Sequence, residues 1–177
     1  MQFLVRPITR RDQGWVRKFS CDQWLADVVV AHGVVYYPHK LRGFVAEVGR
    51  AEHLGLATYV MQNSACELVT LNSLREGEGI GTRLVGEVAQ EASRSGCSRL
   101  WCVTTNDNHP ALGFYQKRGF RIVAVHPGAV ERARILKPSI PLLGIDSIPI
   151  RDEIELELQF DLTSPKLRND SARATAR

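Results

Sequence analysis

The chain has 177 residues, 44% of them hydrophobic, and a formal net charge of +4. That length and apolar content suit one domain with one sizeable core, and no apolar run approaches the ~18 residues of a membrane-spanning helix. The charge does not indicate a nucleic-acid module. Lys166, Arg168, Arg173 and Arg177 stand against Asp170 alone in residues 164–177. This Ser/Ala/Arg-rich stretch is expected to be a disordered basic tail after a domain of residues 1–163, and no aromatic-interleaved basic motif occurs.

The first element expected is a strand over Phe3 to Ile8. Thr9-Arg10-Arg11-Asp12 then has the form of a capping box, and Trp15, Val16 and Phe19 give a short helical face behind it. Residues 21–42 carry no clean period: Val28–Val30 and Val34–Tyr37 are β-prone, but Gly33 and Pro38 interrupt them. Gly43 to Val48 and Leu54 to Met61 read as strands joined by a turn at Gly49-Arg50-Ala51-Glu52. Cys66 to Leu71 reads as a further strand, and it feeds a glycine-rich turn, Arg75-Glu76-Gly77-Glu78-Gly79-Ile80-Gly81-Thr82.

The helix after that turn is the clearest element. Ile80, Leu84, Val85, Val88, Ala89 and Ala92 recur at helical spacing, with charged residues off the stripe and Gly96 as its stop. Arg99 to Thr104 is a buried strand. Asn108-His109-Pro110 opens a second helix that Gly119 closes, and Phe120 to Val125 is the next strand. Residues 126–149 hold four prolines around a helical patch, Val130 to Leu136, and read as a long loop over the sheet. In the last strand, Ile154, Leu156, Leu158 and Phe160 alternate with Glu153, Glu155, Glu157 and Gln159. It reads as half-buried with a wet acidic face, and at a sheet edge it could pair across a homodimer. Strands and helices in this order make one α/β domain with a mixed sheet.

A glycine turn opening a helix aims free backbone N–H groups at one spot, at the positive end of the helix dipole. That is a site for phosphate or pyrophosphate. The common nucleotide motifs fail on residue identity. A P-loop needs a lysine between Gly81 and Thr82, and the dinucleotide fingerprint meets Thr82 where it needs its third glycine. A pyrophosphate carried by another cofactor remains. Cys21, Cys66, Cys97 and Cys102 lack C-x-x-C spacing and read as free thiols. With an N-terminus unlike a signal peptide, this suits the cytoplasm. The five histidines show no metal spacing, so no metal is expected.

The stretch Gly77-Glu78-Gly79-Ile80-Gly81-Thr82 resembles the acyl-CoA-binding motif of the GNAT superfamily of N-acyltransferases. Gly79 and Gly81 match that motif, while its Gln/Arg position falls on Glu76, with Arg75 one residue early. Asn106 and the segment Phe114-Tyr115 to Gly119-Phe120 resemble the superfamily's second motif. The resemblance runs from about Phe3 to Phe160 and is strongest over residues 67–120. It implies a mostly antiparallel mixed sheet whose two central strands splay apart, with helices on both faces. It also implies acetyl-CoA as donor and an amine as acceptor, a small molecule or a peptide.

The resemblance assigns roles by position. The amides of Gly77, Glu78, Gly79, Ile80, Gly81 and Thr82 would hold the pyrophosphate. Asn106 would bond the pantetheine amides, and the main chain of Leu71, Asn72 and Ser73 would align the thioester and offer an oxyanion donor. Tyr115 would serve the leaving thiolate. A phenol, with a pKa of about 10, is not driven to protonate a thiol of about 8.5, but a short hydrogen bond would still stabilise the sulfur. Glu67 is the candidate general base and Glu47 the second. His32, His39, Trp24, Tyr36 and Tyr37 fall where the superfamily walls its acceptor site. The competing reading is a non-catalytic domain that binds acyl-CoA and regulates a partner.

Overall fold

The computed structural model describes residues 2–49 and 52–160. In chain order it forms β1 (Leu4–Pro7), a 3-10 turn (Arg10–Asp12), α1 (Gln13–Trp24), β2 (Val29–Ala31), β3 (Val34–Tyr36) and β4 (Arg42–Val48). There follow β5 (Glu52–Gln62), β6 (Ala65–Ser73), α2 (Ile80–Arg94), β7 (Arg99–Thr105), α3 (His109–Gln116), β8 (Arg121–His126), α4 (Ala129–Leu136) and β9 (Glu153–Gln159). Seven strands make one sheet in the order β1-β4-β5-β6-β7-β9-β8, while β2 and β3 form a separate hairpin. The pairing of β6 with β7 is parallel, as the α2 crossover requires, and the other pairs are antiparallel.

The parallel seam opens. β6 and β7 pair over Ala65–Glu67 and Arg99–Trp101, yet β6 runs on to Ser73 and β7 to Thr105. On its other side, the β6 ladder with β5 steps from Thr58↔Thr70 to Tyr59↔Leu68. Val69 is thus the extra residue of a bulge. A bulge bends its strand, and this one lies where β6 leaves β7. The sheet is mixed, mostly antiparallel and splayed at its centre, as the resemblance implied.

The α2 stripe packs Ile80, Leu84, Val85, Val88 and Ala92 against Phe44, Ala57, Leu68 and Leu100. Gly55 permits the close approach: a Cβ there would lie 2.6 Å from the Asn72 carbonyl and 2.9 Å from Ile80 Cγ2. Leu56, the neighbour of Ala57, joins a second cluster with Val16 and Phe19 of α1. Successive strand residues point to opposite faces, so helices cover both sides of the sheet. No helix among the described residues is long and apolar enough to cross a membrane.

Residues 21–42 resolve into local structure that no long period could announce. α1 runs to Trp24 and stops at Leu25, whose φ is 58°. β2 and β3 are joined by His32 (φ 40°) and Gly33 (φ 82°). Two positive φ values in a two-residue connection match the twist of a tight hairpin.

The last strand corrects its sequence reading. β9 is interior, between β7 and β8, and β8 forms the edge with Ile122, Val123 and Val125 exposed. Nor is its acidic face wet. Glu153 is buried and accepts the His32 backbone N–H at 3.0 Å. Glu155 and Glu157 accept from Arg99 at 3.2 and 2.8 Å, and His126 lies 3.1 Å from Glu155. Period-two alternation marks two faces without saying which is covered, and here the hairpin turn, Arg99 and His126 together engage the acidic one. The basic tail over 164–177, and Arg50 and Ala51 of the expected turn, lie outside the described residues.

Candidate active site

The glycine turn leaves β6 at Ser73 and becomes α2 at Ile80. Gly77 (φ 77°) and Gly79 (φ 80°), the latter the residue before the helix, adopt left-handed backbone that a side chain disfavours. A Cβ at either would meet nothing within 4 Å, so the requirement there is backbone shape. At Gly81 it is space: a Cβ would lie 3.2 Å from the Phe114 ring. The helical ladder starts with Arg83 N–H to Gly79 O, which leaves the amides of Ile80, Gly81 and Thr82 at the mouth of the turn. The first turn of α2 carries no acid.

Arg118 completes this end. Its guanidinium stacks 3.5 Å from the Phe114 ring centre, donates to Thr82 Oγ1, and donates to Phe114 O at 2.6 Å. It has no carboxylate partner within salt-bridge distance among the described residues. The turn, Arg118, Phe114 and Pro110 line a cavity of about 540 Å³. Free amides, a dipole and a fixed cation at one mouth suit a pyrophosphate.

A second cavity, of about 350 Å³, lies in the gap between β6 and β7, with β2 and α4 in its walls. Leu71, Ala111 and Tyr115 line both cavities. A rod-like ligand anchored at the turn would therefore bring its far end to Tyr115. That residue is 7% exposed. Burial pushes its phenol pKa well above 10, helped by the neighbouring Cys102 thiol. The phenol is thus held neutral and able to donate.

The sequence-predicted residues divide. Gly77, Gly79, Ile80, Gly81, Thr82, Leu71, Ser73 and Tyr115 line the first cavity, and Asn72 the second. Asn72 Oδ1 is buried and lacks a hydrogen-bond partner among the described residues, an acceptor left for a ligand. Glu78 sits in the turn, but its side chain is exposed. Asn106 lines neither cavity: its Oδ1 accepts from the N–H groups of Arg151 and Asp152, and its Nδ2 donates to Pro149 O. Two residues on, Asn108 caps α3 and lines the second cavity.

Glu67 is 5% exposed and also lines neither cavity. Its Oε2 accepts from the Tyr36 hydroxyl at 2.7 Å and its Oε1 lies 3.0 Å from His32 Nε2. Glu47 is held by Arg6 at 2.9 Å through both oxygens and lines neither cavity. The acid in the wall of the second cavity is Glu153, whose pKa is raised by burial despite the His32 N–H it accepts. Sequence reasoning passed over Glu153, Arg118 and Asn108. Asn108 stood beside Asn106, and Arg118 lay inside the quoted motif, but Glu153 needed the hairpin to reveal its burial. Among the described residues no cluster of His, Cys, Asp or Glu could hold a metal ion.

A helix start with free backbone amides, a splayed central seam and a tyrosine where two cavities meet are the features of a GNAT-type fold. Residues 15–120 match the model of the acetyltransferase (GNAT) family, and the chain belongs to that family. Two proteins of Bacillus subtilis (strain 168) are similar to it. The uncharacterized protein YxbD is 42% identical over 158 residues, covering 88% of this chain and 99% of that protein. The uncharacterized protein YdhI is 40% identical over 136 residues, covering 77% and 85%. The fold matches a Bacillus subtilis acetyltransferase in complex with CoA, with TM-score 0.63, 19% identity and coverage of 90% and 99%. It also matches a GNAT family acetyltransferase from Elizabethkingia anophelis with acetyl-CoA bound, with TM-score 0.62, 20% identity and coverage of 89% and 98%.

Proposed function

We propose that this protein transfers an acetyl group from acetyl-CoA directly to a primary amine. The observation that carries the reading is Tyr115, which lines both the cavity at the glycine turn and the cavity in the β6–β7 gap.

The amides of Gly77 to Thr82, with Arg118, take the pyrophosphate. The β6 edge beyond Glu67 has no β7 partner, so its main chain at Leu71, Asn72 and Ser73 can pair with the pantetheine amides and donate to the thioester oxygen as it becomes an oxyanion. The acceptor nitrogen reaches the carbonyl from the second cavity. Its lone pair forms the C–N bond, the C–S bond breaks with the thiolate accepting a hydrogen bond from the Tyr115 hydroxyl, and the proton that the nitrogen sheds ends on the sulfur. The Tyr115 donor is fixed before the charge develops, which is where electrostatic catalysis gains most. Glu67 acts behind the site, as the residue that fixes His32 and Tyr36.

The test is thiol release from acetyl-CoA with a panel of primary amines. Amine-dependent release supports transfer. Acetyl-CoA binding without release by any amine would instead favour a regulatory acyl-CoA-binding domain.

A further inference from the structure

The second cavity carries charges that the acetyl donor does not use. Lys137, at the end of α4, lines it and is 9% exposed. Its Nζ donates to Val28 O at 3.0 Å and has no carboxylate within salt-bridge distance among the described residues. The dipole at a helix C-terminus welcomes a cation. It does not account for an ammonium taken out of water into a cavity wall without an anion, where its pKa is lowered by burial. Glu153, 4% exposed, lines the same cavity. So does Asn72, with its unmet Oδ1. The remaining wall mixes apolar side chains, among them Trp24, Val30, Val103, Val130 and Ile140, with Thr70, Thr104 and Thr105.

A buried cation and a buried carboxylate that are not paired with each other complement a ligand carrying both charges. We infer that the acceptor is a free α-amino acid, or a close analogue, with an apolar side chain. Its carboxylate pairs with Lys137 and its amino group meets Glu153 and Asn72. This rests on the transfer reading and names its substrate class. An amine of fatty or aromatic type would leave Lys137 buried and unpaired, and a buried unpaired charge is costly. In the reaction the ammonium gives one proton to Glu153. The nitrogen lone pair then forms the C–N bond, the C–S bond breaks, and the second proton ends on the CoA sulfur. Glu153 returns its proton to solvent.

The experiment compares L-leucine, L-leucinamide and isoamylamine as acceptors for the full chain at saturating acetyl-CoA, read by thiol release. Wild-type kcat/KM for leucine should exceed both others by about 30-fold, the factor set by one desolvated charge pair. Lys137→Met should bring that ratio close to one, while Lys137→Arg keeps most of it. Because the preference is read first on the wild type, it does not depend on any variant folding. Equal or better turnover of isoamylamine would overturn the inference. If no acceptor of any kind releases thiol, the transfer reading fails separately, and calorimetry of leucine with the CoA-loaded protein decides this one. Saturable heat lost in Lys137→Met would uphold it, and no heat would overturn it.

Discussion

His32 Nε2 lies 3.0 Å from Glu67 Oε1 and ties the separate β2–β3 hairpin to the base of the splayed seam. The same residue gives its backbone N–H to Glu153. One turn residue therefore serves two buried carboxylates, and the wall of the second cavity depends on it.

Replacing the ring tests that link. His32→Asn keeps a residue that tolerates left-handed backbone and shortens the side chain away from Glu67. It should lower stability by about 1–3 kcal/mol, the cost of an under-satisfied buried acceptor. The acceptor KM should rise while acetyl-CoA affinity stays within about threefold, since a factor of three is well under 1 kcal/mol. Denaturant melts and a two-substrate kinetic analysis read both effects.

Tyr115→Phe removes the hydroxyl and leaves the ring packed near Phe114 and Phe120. Turnover should fall about 100-fold, a typical loss for one positioned hydrogen-bond donor to a developing anion. Binding of acetyl-CoA, followed by calorimetry, should be nearly intact. Unchanged turnover would remove Tyr115 from the chemistry.

How much of this was legible in the sequence follows from what each signal requires. The α2 stripe and the glycine turn were readable because helix period and φ > 0 are written in consecutive residues. The hairpin was not, since three-residue strands carry no period and its turn places a histidine at positive φ. The alternation of β9 marks a strand, yet its environment depends on Arg99, His126 and His32, brought to it only by the fold. Asn106 and Asn108 are equally good in composition. Only the path of residues 149–152 shows that the former is engaged by backbone through both ends of its amide.

The cysteines should react unequally. Cys21 is exposed, while Cys66, Cys97 and Cys102 are buried. Burial raises all three buried thiols, Cys66 and Cys102 to about 12. The thiolate is the reactive form. Iodoacetamide at neutral pH should therefore add once to the native protein, by intact mass, and not at all to Cys21→Ser.

The N-terminal strand sets an acid limit on stability. Asp12 accepts two bonds from Arg6, at 2.8 and 2.9 Å, with a further two from Thr9. The Arg6 hydrogen bonds hold its carboxyl well below 3.8, against a smaller opposing effect of burial. A folded pKa below the unfolded one stabilises above the unfolded value and is lost as pH falls toward the folded value. Stability should thus decline below about pH 4. In Asp12→Asn that part of the decline should be absent, at the expense of lower stability at pH 7, as urea melts across pH would show.

The central claim is that the mouth of α2 binds the pyrophosphate of acetyl-CoA so that the thioester reaches Tyr115. Calorimetric titration with acetyl-CoA tests it most directly, on the wild type beside Gly81→Asp and Arg118→Ala. A carboxylate at position 81 would crowd Phe114 and repel the phosphates. The account predicts micromolar binding by the wild type, its loss in Gly81→Asp and a weaker, more salt-insensitive interaction in Arg118→Ala. Absence of binding by the folded wild type, or undiminished binding by Gly81→Asp, would contradict it.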